Sequence, residues 1–133
     1  MAREIKFRGY NRKNKEWLYG FYVQNRGAHF VCPDEFAVNK SWDDYEIDPA
    51  TLGQLTGLKD KSGKEIYEGD IVRSDLLPSR AYRVAFRDGL LIGTAVDGGW
   101  IPLLDDEHLG DILDIIEVIG NIHDNPEFLD KLL

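Results

Sequence analysis

The chain has a single cysteine, Cys32, among 133 residues, so no disulfide can form within it. Cys32 ends the apolar run Ala28-His29-Phe30-Val31-Cys32 and is followed by Asp34 and Glu35. A reactive thiolate needs an electropositive setting, so Cys32 reads as a buried, inert thiol. Long apolar runs are missing as well. The longest strongly apolar stretch, residues 90–96, falls far short of the ~20 residues that span a bilayer. Residues 1–9 alternate charged and apolar side chains and so lack the unbroken apolar core of a signal peptide. These absences predict a protein of the reducing cytoplasm with no membrane partner.

Catalytic and cofactor signatures are absent too. His29, His108 and His123 are scattered and, with one cysteine, make no zinc set. Residues 57–64 have the wrong spacing for a phosphate-cradling loop and lead into a strand signal. There is no serine nucleophile elbow. His108 beside Glu107 and His123 beside Asp124 are neighbours in sequence, and neighbours on a strand point to opposite faces. The expectation is therefore no enzyme, no catalytic residues, no cofactor and no metal.

Positive charge is sparse in the second part of the chain. Residues 1–40 carry eight Lys/Arg against four Asp/Glu, whereas residues 41–133 carry eight against twenty, within a net charge of −8. No Lys or Arg occurs between Arg87 and Lys131, a span that holds Asp105, Asp106, Glu107, Asp111, Asp114 and Glu117. An acidic surface repels phosphate, so direct nucleic-acid binding is not expected. The six carboxylates lack the Gly-punctuated spacing of a calcium loop and read as a solvated connection. The basic N-terminal stretch reads as solvated strand faces.

What is present is size enough for one core and many turns. A chain of this length buries roughly two-thirds of the surface that its unfolded form exposes, so it needs no disulfide or metal to fold. Hydrophobic residues make up 43% of it, which excludes disorder, and thirteen glycines support frequent tight turns. Short apolar runs between turn residues predict a mainly β fold as one domain over residues 1–133. Residues 3–9, 17–23 and 28–32 read as an N-terminal antiparallel meander, with residues 24–27 as its second turn. Asp48-Pro49 reads as the cap of one helical turn. Residues 58–67 read as two short apolar pieces around a Gly-ended turn.

Five further strands, at 71–73, 81–87, 90–96, 100–104 and 115–122, are the right number and length for a small SH3-like barrel core. Asp88-Gly89 is the hairpin dipeptide between the second and third. Residues 112–119 also fit a helical stripe, but Val118, the isoleucines and Gly120 favour a strand. Asn125-Pro126 starts a short C-terminal helix that Phe128, Leu129 and Leu132 would dock on the barrel.

Three segments together resemble one family: Arg3–Gly9 with Glu16–Gly20; Gly53–Val72, which contains Gly57-Leu58-Lys59-Asp60-Lys61-Ser62-Gly63 and Glu68-Gly69-Asp70; and Ile116–Leu129, which contains Gly120-Asn121-Ile122-His123-Asp124-Asn125-Pro126. This pattern is similar to the YopX family of small proteins encoded by bacteriophages and prophages. The resemblance covers nearly the whole chain, with residues 24–50 and 73–110 matching only in position and general character. It implies a mostly β protein in the cytoplasm of the infected cell, without an established activity, and it carries over no catalytic residues. The shared Gly, Asp and Asn residues are turn formers, which a fold alone accounts for.

The aromatic strand is the feature that a fold alone explains least. Trp17, Tyr19 and Phe21 fall on one face of it and Tyr22 on the other, so it is either fully buried or partly an interface. Residues 33–50, with Phe36, Trp42 and Tyr45, are the rival cover for that face within one chain. Two functions of different classes follow: a protein-interaction module, assembled as a homo-oligomer through the aromatic strands or bound to a host or phage protein, and an acidic decoy whose carboxylates occupy a host nucleic-acid-binding protein. Because no complete metal set is present, thermal unfolding should be unchanged by a strong chelator; a loss of several degrees would show that the acidic stretch 105–117 holds a structural cation.

Overall fold

The computed structural model describes residues 5–33, 40–75, 77–87, 90–95, 99–102 and 115–130. The chain divides into two compact units, residues 1–55 and 56–133. Strands dominate both, all pairing is antiparallel, and no long helix occurs among the described residues.

The first unit contains the expected meander. Strand β1 (Phe7–Asn11) pairs with β2 (Glu16–Asn25), from Phe7↔Gly20 to Asn11↔Glu16. Strand β2 then pairs with β3 (Ala28–Cys32), from Phe21↔Cys32 to Asn25↔Ala28. Arg26 and Gly27 both have positive φ, +52° and +80°, as a two-residue hairpin turn that follows strand twist requires. A 3₁₀ turn at Trp42–Asp44 precedes an extended piece that runs along β3. There Val31 N–H donates to Tyr45 O at 3.0 Å, and Ile47 N–H donates to His29 O at 2.9 Å. Phe30, Cys32 and Tyr45 form a small buried cluster against Ala28.

Asp48-Pro49 does not start a helical turn. It opens β4 (Asp48–Lys59), which pairs with β1 on the side away from β2. The register slips between Tyr10↔Asp48 and Arg8↔Gly53, so residues 49–52 bulge. The physical reason lies in the same dipeptide that suggests a cap. A residue before proline is pushed to extended angles, and proline, lacking an N–H, is tolerated in a bulge. Local bonds of a cap survive: Ala50 N–H donates to Asp48 Oδ1 at 3.1 Å, and Thr51 Oγ1 donates to Asp48 O at 2.6 Å.

The second unit takes in the last residues of β4, its neighbour β5 (Glu65–Tyr67), and five more strands. These are β6 (Asp70–Ser74), β7 (Leu77–Arg87), β8 (Leu90–Thr94), β9 (Trp100–Pro102) and β10 (Ile116–Asn121). All five expected strands exist; Asp88-Gly89, residues 96–98 and residues 103–114 lie outside the described residues. The order is β10-β6-β7-β8-β9, an open sheet rather than the closed SH3-like barrel expected from strand count. Among the described residues one feature stands against closure. The outer edge of β10, where a barrel would close, is taken: Lys61 N–H donates to Ile116 O at 2.9 Å, and Val118 N–H donates to the Asp60 carboxylate at 2.9 Å.

This sheet contributes Val72, Tyr82, Val84, Leu91 and Ile116 to a buried cluster that also takes in Ala95, just past β8, and Ile66 of β5, with Leu58, Ile101 and Val118 packed around them. Alternation along β7 fits, since Tyr82 and Val84 are buried while Arg83 is exposed. One helical turn, α1 (Glu127–Asp130), follows Asn125-Pro126 and lies beside β7. Leu132 lies outside the described residues, and so does the side chain of Leu129.

Close approach rather than turn geometry constrains Gly20. A Cβ there would sit within contact distance of the Cys32 carbonyl, 2.7 Å from its carbon and 3.0 Å from Pro33 Cα. Gly20→Ala should therefore destabilise by about 2–4 kcal/mol in urea denaturation, since the β2–β3 pairing must open. Gly27→Ala meets open space and should cost about 1 kcal/mol through its positive φ alone. Equal losses at the two positions would contradict this account.

Candidate functional site

The polar residues of the resemblance segments are occupied in building turns. Asp60 is 7% exposed, and its Oδ1 accepts the backbone N–H groups of Ser62 and Lys64, each at 2.9 Å. Its Oδ2 accepts from Val118, as above. Burial penalises the charge, but the three backbone donors outweigh that penalty and hold the carboxyl below its ordinary range. Gly63 closes the same turn at φ +84°, donating to Asp60 O at 2.9 Å. Asp70 is 2% exposed and accepts Tyr67 N–H at 2.7 Å, just after Gly69 at φ +91°. Asn121 Oδ1 accepts from His123 N–H and Asp124 N–H, both at 2.9 Å. These glycines, aspartates and asparagines are the turn formers that the sequence suggests.

Among the described residues no catalytic constellation assembles around the remaining polar groups. His29 Nδ1 lies 2.6 Å from Tyr22 Oη, the two rings stacked on one face of the β2–β3 pair. His123 is exposed, and His108 lies outside the described residues. Among the described residues no three His, Cys, Asp or Glu side chains converge as a metal site would need. Cys32 is buried, and burial pushes its thiol pKa up, the opposite of activation.

The acidic stretch 105–117 is described only at 115–117. There Glu117 pairs with Arg73 at 3.0 Å. Elsewhere Asp75 pairs with Lys61, Asp48 with Arg12, and both Asp43 and Asp44 with Lys13. Asp44 is held well below the usual carboxylate range by the Ser41 N–H first, then by Lys13 and Asn14. These carboxylates are paired with cations, Asp43 and Asp44 sharing Lys13.

The aromatic strand gives a different picture. On β2, Tyr19, Phe21 and Val23 occupy alternate positions on one face and are 47%, 56% and 38% exposed. Trp17 continues that row but is half-buried, with Tyr10 edge-on at 5.5 Å and the Arg8 guanidinium 5.0 Å from its ring centre. Tyr22, on the other face, packs against Phe7 and His29. Of the chain's own cover, Tyr45 and Trp42 reach Phe30 on β3, and Phe36 lies outside the described residues. Sequence alternation places Trp17 with Tyr19 and Phe21, and the same period puts Val23 on that face. What it misses is Arg8, which reads as a solvated strand residue yet is 6% exposed beneath that indole.

The family model of the YopX protein matches residues 6–130. The chain belongs to the YopX family. It is also similar to a solved structure, protein EF1440 from Enterococcus faecalis, at 28% identity and a TM-score of 0.62, over 96% of this chain and 99% of that one. No curated protein matches the chain. The match takes in the Asp60, Asp70 and Asn121 turns of this YopX chain, whose side chains serve its backbone.

Asp60 supplies a pH test. Its carboxyl is lowered on folding, so its stabilisation is present above the unfolded value near pH 4 and is lost as pH falls through the folded value. Asp60→Asn places an amide where an acceptor is needed and should cost about 1–3 kcal/mol at pH 7 in urea denaturation, with the gap narrowing below pH 4. A gap that is absent at pH 7, or that widens in acid, would show that the three bonds do not hold the turn.

Proposed function

We propose that this YopX-family protein is a non-enzymatic interaction module that acts by protein contact through the open face of β2, and that the first occupant of that face is a second copy of the chain. The observation that carries the reading is the row Tyr19, Phe21 and Val23, large apolar side chains left exposed on alternate positions of one strand. Contiguous apolar surface is uncommon on monomers and marks contact sites. The run from Trp17 to Asn25 has no charged residue in a chain that is 30% charged. Two molecules of net charge −8 therefore meet there with the least like-charge opposition, and a symmetric pair uses the same patch on both copies. Matched ion pairs elsewhere lend less support to an acidic decoy. The family likeness and the single buried thiol support a cytoplasmic setting in a bacterium that carries a phage or prophage.

Sedimentation equilibrium at micromolar concentration tests this. The expected mass is a multiple of 15.2 kDa, reduced to one chain by Phe21→Asp and by Phe21→Ser, with strand content retained in circular dichroism. A native mass of one chain would overturn self-association. In that event a photo-crosslinking residue at position 21, with a control at exposed Ser62, decides the wider reading. Labelling of another protein from position 21 alone keeps the contact role, and none from either position ends it.

A further inference from the structure

We draw no further inference here: the strongest candidate, the polar hollow of about 350 Å³ lined by Asn11, Arg12, Lys13, Asp43, Glu46 and Asp48, carries nothing because its cations are held by its own aspartates and the Asn11 amide by the Asp43 and Glu46 carbonyls, so no observation points to a ligand.

Discussion

The Asp60 carboxylate reaches a backbone N–H 58 residues away in sequence, and much of the second unit follows from that one side chain. Two of its bonds shape the turn between β4 and β5, and the third holds β10. Closing so long a loop costs conformational entropy, which a single neutral hydrogen bond would scarcely offset. A buried carboxylate with three N–H donors is a stronger device, because each bond is charge-assisted and the charge has no better partner in water-poor surroundings. Lys61 follows from the same placement, since its N–H then reaches Ile116 O. The edge of β10 is thereby spent, and the sheet has no free edge there with which to close.

Barrel closure was beyond the reach of strand counting for this reason. The alternation of Tyr82, Val84 and Phe86 against Arg83 and Arg87 identifies β7, and the glycine and aspartate turns mark its neighbours. Whether the last strand pairs with the fourth depends on what else competes for its outer edge. That competitor is a side chain from a turn far earlier in the sequence, which no local pattern reveals. Asp48-Pro49 failed differently. The same residues serve a helix start and a strand bulge, and the choice is made by Tyr10, whose N–H finds Thr51 Oγ1 at 2.8 Å once β4 lies beside β1. Tertiary pairing overrode a local preference.

The candidate site was legible in its composition and not in its boundary. Aromatic residues on both faces of one strand announce a surplus of apolar surface, and the register assigns it. Tyr22 is used inside the β2–β3 pair, whereas Phe21 and Val23 stay open although their partners Cys32 and Phe30 are buried. Tyr45 packs with Phe30 and Cys32 on β3, while Phe21 and Val23 keep more than a third of their surface exposed. Arg8 was misread because strand alternation treats any cation as outward. A guanidinium is weakly hydrated and flat, so an indole face is an acceptable partner for it under cover.

The residues that hold the backbone turns and the residues left exposed on β2 are different sets in this molecule. Asp60, Gly63, Asp70 and Asn121 hold the backbone of the second unit, and none of them belongs to the open face of β2. Tyr19, Phe21 and Val23 add little to the core, since each keeps over a third of its surface in solvent. A chain arranged this way can keep its turns while its exposed face changes. The residues that make the family recognisable then say how the backbone is built and nothing about what it meets. On the proposed reading, contact needs no converging nucleophile, base or metal set, and the sequence signals it only by the uncharged run from Trp17 to Asn25.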